Sequence, residues 1–157
     1  RDGNVVSSSA LPITRNAIVV STDDDGSIMS MAVWVHIPDV ILIDELQFFT
    51  VKQVEELADI SITYDVDIYA YGLMISYNGK MFESVKRAIE CGFRLNTIDM
   101  SCDHCYNDAT HHLLYIDGVV KCDGNPINVE DTKDKEQKYE SVCYQCYIRA
   151  IDVANMK

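Results

Sequence analysis

A chain of 157 residues has the length of one ordinary domain, enough to bury roughly 68–70% of its unfolded surface in a core. Its 25 acidic side chains against 13 basic ones give a net charge of −12, which argues against a non-specific binder of nucleic acid or anionic membrane, since phosphate backbones are held by Lys and Arg. No stretch approaches the ~18 consecutive apolar residues of a membrane span, no signal-peptide pattern is present, and a first residue of Arg1 rather than Met suggests processing or a longer parent chain.

Taken in order, the segment through Arg15 is polar and Ser-rich with Pro12, and reads as extended or poorly ordered. Ala17–Val20 reads as a short buried strand. Asp23, Asp24 and Asp25 form an acidic turn, and Ser27 caps an apolar helix to about His36. Val40–Ile43 is a continuous apolar run, as expected for a strand buried on both faces of a parallel sheet. Thr50 caps a helix in which Val51, Val54, Leu57, Ala58 and Ile60–Ile62 supply apolar positions. Asp67–Tyr71 reads as another buried strand, and a loop follows from Gly72 to Gly79. Phe82–Cys91 has helical spacing with Gly92 at the C-terminal position, and Arg94–Met100 reads as another strand. This alternation of strand and helix predicts an α/β sheet with crossover helices. After Ser101 the pattern changes to short strands, Thr110–Ile116 and Gly118–Lys121, and an acidic loop from Asp123 to Lys138.

Four of the six cysteines fall into two C-x-x-C pairs, Cys102/Cys105 and Cys143/Cys146. In a chain without a secretory signal this spacing reads as metal binding before disulfides, and two such turns enclose a structural tetrahedral zinc ion. His104 is an alternative ligand, poorly placed inside the first turn. His111 and His112, adjacent in a strand, point to opposite faces and make a poor ligand pair.

Asp44 and Glu45 follow the hydrophobic strand at its C-terminal end, where open α/β sheets place their ligands. Asp44 stands where phosphate-handling folds hold magnesium, and Glu45 where a substrate hydroxyl can lose its proton. A plain helix entrance accounts for the same pair of residues.

In combination these pieces are more specific. Ile43-Asp44-Glu45-Leu46-Gln47-Phe48-Phe49 resembles the I-D-E-x-Q-F-F motif of the zinc-ribbon thymidine kinase family. Tyr71-Gly72-Leu73 and Asn78-Gly79-Lys80-Met81-Phe82-Glu83-Ser84 resemble the bacterial-type Y-G-L-R-T-D-F-x-G-x-L-F-E-G-S stretch. Cys102-x-x-Cys105 with Asp108-Ala109-Thr110 resembles the first knuckle and its K-A-T continuation, and Lys138-Tyr139-Glu140-Ser141-Val142-Cys143 the K-Y-x-S-V-C approach to the second. Arg1-Asp2 with Val5-Val6-Ser7-Ser8 resembles the segment after the family's I-D-T-R. The matches run in order along nearly the whole chain.

The resemblance implies an α/β fold: a P-loop-kinase-like parallel sheet with crossover helices over residues 1–100, lacking the first strand and P-loop, and a zinc-ribbon lobe with a lasso loop over residues 101–157. It implies transfer of the γ-phosphoryl group of ATP to the 5′-hydroxyl of thymidine, giving dTMP, with Mg2+ and a structural Zn2+ held by Cys102, Cys105, Cys143 and Cys146. Glu45 is then the catalytic base and Asp44 lies on the magnesium and phosphate side. Gln47, Phe48, Leu73 and Tyr139 contact the nucleoside, and Asn128 and Val129 belong to a lasso that holds the base through its backbone. A cytoplasmic homotetramer is implied, with neither nucleic acid nor membrane as partner.

Three departures from the family pattern stand out. No G-x-x-x-x-G-K-[ST] occurs in these residues; the family's P-loop lies upstream of I-D-T-R and so would precede Arg1, or be supplied by a separate fragment. Met74, Ile75 and Ser76 replace Arg-Thr-Asp. The lasso lacks its usual glycine and carries Glu130, Asp131, Asp134 and Glu136. The expected function is therefore a thymidine kinase poorly active as this chain alone. The alternative is a non-catalytic binding or assembly module of the same descent; an unrelated zinc-ribbon nucleic-acid binder fits the acidic charge least.

Overall fold

The computed structural model describes residues 4–6, 14–20, 28, 37–124 and 136–156. It is a mixed α/β structure with a parallel strand pair, a small antiparallel sheet and a short antiparallel pair near the start of the chain.

β1 (Asn4–Val6) and β2 (Thr14–Asn16) pair antiparallel, with Val5 opposite Arg15. The opening segment thus contains regular pairing that its polar composition concealed. The strand expected at Ala17–Val20 is absent: that stretch is irregular, and Ile18 and Val19 are exposed. The expected acidic turn and the helix to His36 lie outside the described residues, apart from Ile28, which is buried in the core.

β3 (Val40–Ile43) and β4 (Asp67–Ala70) run parallel in the register Val40↔Asp67 to Ile43↔Ala70. Between them lies the crossover helix α1 (Val51–Tyr64). Its start is a reciprocal capping box: Thr50 Oγ1 accepts from the Gln53 N–H, and Gln53 Oε1 accepts from the Thr50 N–H. Val54, Leu57 and Ile60 recur at helical spacing and are fully buried. They meet Val85 and Ala88 of α2 (Glu83–Glu90), together with Ile43, Leu46, Val66 and Phe82, in the main core. Arg87 of α2 reaches Glu55 of α1 at 2.8 Å across the surface of this contact.

Two expectations for this sheet need correction. The strands are not buried on both faces: in β3 Ile43 faces the core while Leu42 is 70% exposed, and in β4 Tyr69 is exposed. Arg94–Met100 forms no strand, and Leu95, Ile98 and Met100 are exposed. Apolar content makes a run fit for a sheet, but a strand exists only where a partner edge takes up its N–H and C=O groups. Among the described residues this run joins no sheet, and its one backbone hydrogen bond is at its end, where the Met100 carbonyl accepts from the Ala109 N–H.

The second sheet has the order β6-β5-β7, from β5 (His111–Ile116), β6 (Val119–Val120) and β7 (Gln137–Val142). Asp117 and Gly118, both at positive φ, make the tight turn between β5 and β6, as a two-residue hairpin requires. β7 leads directly into a helix absent from the sequence reading, α3 (Tyr144–Asn155). Its signal was present: Tyr147, Ala150, Ile151 and Ala154 lie at helical spacing. Leu113, Val142, Cys102, Cys143 and Tyr147 form a second buried cluster around the cysteine pairs. Among the described residues no helix is long and apolar enough to cross a membrane.

Candidate functional site

The first constellation lies where β3 ends. Asp44 is exposed, and Glu45 follows with φ 57° and ψ 44°, a left-handed conformation that costs a non-glycine residue about 1–2 kcal/mol. A single 3₁₀ turn, Leu46–Phe48, comes next. Two backbone hydrogen bonds extend the strand pairing past the sheet: Tyr71 N–H donates to the Ile43 carbonyl and Leu46 N–H to the Tyr71 carbonyl, both at 2.9 Å. The segments 43–48 and 71–73 are thereby held side by side.

Gln47 closes this arrangement. It is buried, its Nε2 donates to Glu45 Oε2 at 2.5 Å, and its Oε1 accepts from the Leu73 N–H at 3.0 Å. Phe48 is half-buried and Leu73 is 40% exposed, so both leave apolar surface at the rim of this site. Met74 packs against the main core. Where the family pattern has a cation, this chain has a side chain that fills apolar space.

The loop after Leu73 connects to the cysteine lobe. The Tyr147 hydroxyl donates to the Tyr77 carbonyl at 3.0 Å, and the Tyr77 hydroxyl donates to the Asp123 carbonyl at 3.2 Å. Both tyrosines are buried. Burial raises the Tyr77 pKa, and the neighbouring Tyr139 and Asp123 raise it further, which keeps the hydroxyl a donor. Gly79 sits at φ 76°, and a Cβ there would stand 2.8 Å from the Tyr147 hydroxyl, so glycine is required on both counts. Tyr139 lies on β7 opposite Leu114 and is half exposed. Asn128 and Val129 lie outside the described residues. Tyr147→Phe removes one buried hydrogen bond and is expected to destabilise the protein by about 0.5–1.5 kcal/mol, measurable as a lowered midpoint in denaturant titration; an unchanged midpoint would count against this link.

The second constellation is the cysteine cluster. Cys102 and Cys105 precede β5, Cys143 caps α3, and Cys146 lies in its first turn. The second pair is therefore built on a helix start rather than on a free turn. All four sulfurs lie within 4.8 Å of one another, with Cys105–Cys143 at 3.6 Å and Cys146–Cys105 at 3.8 Å. None is in a disulfide. Four thiolates around one zinc at Zn–S of about 2.3 Å stand about 3.8 Å apart in a regular tetrahedron, so the donor set fits that ion in both chemistry and spacing.

The electrostatics agree. At Cys102 burial opposes the thiolate, but N–H groups at Cys143, His104 and Cys105 point to its sulfur and bring its pKa down to about 6. Cys146 is pushed up to about 12 by burial and by the other sulfurs. Backbone donors favour the thiolates of Cys102 and Cys143, and further ionisation in so small a space calls for a cation. His104 is not among the clustered donors: its Nε2 meets Glu140 Oε2 at 2.6 Å, and Glu140 also accepts from Lys138 Nζ at 2.6 Å. Asp103 Oδ2 accepts from the Ser141 N–H, fastening the first knuckle to β7. His111 packs 4.9 Å from the Tyr147 ring, and burial lowers its pKa; neither it nor His112 joins the cluster.

A parallel α/β unit with carboxylates at a strand end is joined here to a four-cysteine cluster that could hold a metal ion. The thymidine kinase family profile matches residues 4–147, nearly the whole chain. The chain belongs to the thymidine kinase family. It is 36% identical over 107 residues to a thymidine kinase of Francisella tularensis subsp. holarctica, covering 67% of this chain and 54% of the relative. Against a thymidine kinase of Encephalitozoon cuniculi it is 29% identical over 109 residues, covering 69% of this chain and 50% of the relative. Against one of Streptococcus pyogenes serotype M3 it is 29% identical over 147 residues, covering 94% and 75%. The chain thus spans about half the length of the first two of these relatives.

Proposed function

We propose that this chain carries the nucleoside side of a thymidine kinase, which transfers the γ-phosphoryl group of ATP to the 5′-hydroxyl of thymidine. The observation that carries the reading is the Glu45 carboxylate at the end of parallel β3, tied by Gln47 to the Leu73 backbone, in a chain of the thymidine kinase family. Glu45 accepts the proton of the 5′-hydroxyl as it attacks. Phosphoryl transfer depends mainly on alignment and charge stabilisation, so the base need only hold the hydroxyl in line.

Phe48 and Leu73 form the apolar slot for thymine, and Tyr139 covers the nucleoside from the cysteine lobe. Asn128 and Val129 supply backbone contacts to the base edge. Asp44, an exposed carboxylate beside Glu45, suits Mg2+, which keeps most of its waters and takes one or two carboxylates. When bound, Mg2+ with ATP supplies charge neutralisation at the transferring group. No G-x-x-x-x-G-K-[ST] motif for a phosphate cradle occurs in these 157 residues.

Cys102, Cys105, Cys143 and Cys146 hold a structural Zn2+. The α/β lobe runs to residue 100 and the ribbon lobe from 101, in keeping with the two buried clusters. The working assembly is a homotetramer in the cytoplasm, where thiolates stay reduced. A second reading, a non-catalytic binding module, draws on one observation: Met74 is packed into the core where the family pattern has arginine.

Calorimetry of the purified, zinc-loaded chain with thymidine, with and without a separately supplied P-loop segment, tests the reading. Saturable binding is expected, weakened about tenfold by Phe48→Ala through loss of one aromatic contact of roughly 1.4 kcal/mol. No binding in either arm, with the fold intact by circular dichroism, would favour the non-catalytic module.

A further inference from the structure

We infer that Gln47 is a positioning residue, which aims the Glu45 carboxylate and fixes the Leu73 backbone with one amide, and that it does not contact the nucleoside. The inference rests on the proposed function above and reassigns Gln47 within it.

Burial comes first. Gln47 is 2% exposed, so its amide does not face a bound ligand from the surface. Each end of that amide already has a partner: Nε2 donates to Glu45 Oε2, and Oε1 accepts from the Leu73 N–H. The orientation of the amide follows from the partners. A backbone N–H can only donate, so the atom facing Leu73 is the oxygen, and the NH2 group therefore faces the carboxylate.

The surrounding backbone is shaped for this contact. Glu45 adopts its left-handed conformation just before the 3₁₀ turn, and its carboxylate meets a side chain only two residues on. Gly72 leaves the room: a Cβ there would stand 2.3 Å from Gln47 Oε1 and 3.0 Å from the Leu46 nitrogen. The paired bonds Tyr71 N–H to the Ile43 carbonyl and Leu46 N–H to the Tyr71 carbonyl hold the two segments in register.

A neutral donor suits the task. A lysine or arginine here would hold the carboxylate with a full charge and weaken it as a proton acceptor. An amide orients the carboxylate by a single bond and leaves its other oxygen for the substrate hydroxyl. Because the same amide grips Leu73, the base and one wall of the thymine slot are set together.

The test compares Gln47→Met and Gln47→Glu with the unsubstituted chain, supplied with the P-loop segment, by turnover, thymidine calorimetry and NMR. Gln47→Met is expected to lower kcat about 10- to 100-fold, the scale of a small misalignment. The thymidine dissociation constant should rise less than about tenfold, because the Leu73 wall loosens but no side chain that touches the nucleoside is removed. Hydrogen exchange at the Leu73 amide should quicken in Gln47→Met. Gln47→Glu keeps an acceptor for Leu73 and should leave that amide protected, yet it sets a second carboxylate against Glu45 and should lower kcat all the same. A weakened thymidine affinity at unchanged kcat in Gln47→Met would overturn the inference, since a nucleoside contact behaves that way. The side-chain NH2 signal of Gln47 gives a readout independent of turnover: it should shift on Glu45→Ala, and an unmoved signal would overturn the inference. Failure of the kinase reading looks different, with no turnover and no thymidine binding in the unsubstituted chain, while the Gln47 signal still responds to Glu45→Ala.

Discussion

Glu45→Gln is expected to lower kcat for thymidine phosphorylation by about 10²-fold or more, the usual contribution of a positioned general base, with little change in thymidine affinity. The substitution is close to isosteric, and its amide oxygen can still accept from Gln47 Nε2, so the turn at 45–48 should keep its shape. What is lost is the group that takes the proton. The size of the loss is bounded by the chemistry, because phosphoryl transfer draws most of its acceleration from alignment and charge rather than from deprotonation. Steady-state kinetics with the P-loop segment supplied, beside calorimetry, separate the two parameters. Retention of more than about a tenth of kcat would remove Glu45 from the role of base, since a tenfold effect lies below the range for such a group.

Removal of zinc is expected to have the largest effect on stability. Cys102 and Cys143 are buried members of the second core cluster, packed with Leu113, Val142 and Tyr147. Structural zinc sites contribute about 10–16 kcal/mol near neutral pH in small domains, which matches or exceeds the about 5–15 kcal/mol of net stability a domain possesses. Chelation or Cys143→Ser should therefore unfold the β5–β7 sheet and α3. The α1–α2 core has its own set of buried residues and should retain its helices. The loop at Tyr77 should loosen as well, since the Tyr147 hydroxyl and the Asp123 carbonyl that hold it belong to the unfolding lobe.

Zinc affinity should rise with pH, because each thiol must release its proton to bind and Cys146, without a cation, holds its proton up to about 12. Metal analysis with thermal unfolding checks both points. Less than about half a zinc per chain under reducing conditions would count against the structural site.

Much of this was open to reading along the chain because it depends on near neighbours. The capping box needs only Thr50 and Gln53, three positions apart. The thiol pairs are each a C-x-x-C, and a carboxylate pair after an apolar strand is a local pattern as well. The periodicity of helix α3 is equally local, but the C-x-x-C at its start carries the signature of a turn and masks it.

Other features had no local signature. The backbone partner of Gln47 is 26 residues away and that of Tyr147 is 70 away. Nothing in the neighbourhood of either residue announces the backbone group it will meet. Motif position alone groups Gln47 with the nucleoside contacts; its burial and its two bonds give it the different part inferred above.

The sequence by itself therefore determined the elements with strong local codes: the parallel strand–helix–strand unit from Val40 to Ala70, the two thiol pairs, and the kinship those motifs carry. Periodicity, capping and short-range ligand spacing are properties of a few consecutive residues, and they survive in one dimension. The tertiary structure alone decided which apolar runs become buried or paired strands, leaving Leu42 exposed and 94–100 outside any strand among the described residues. It also decided that the loop after Leu73 is anchored on the cysteine lobe through Tyr77 and Tyr147. Both outcomes depend on surfaces brought together from distant parts of the chain, and burial and hydrogen-bond satisfaction take their values only once those surfaces meet.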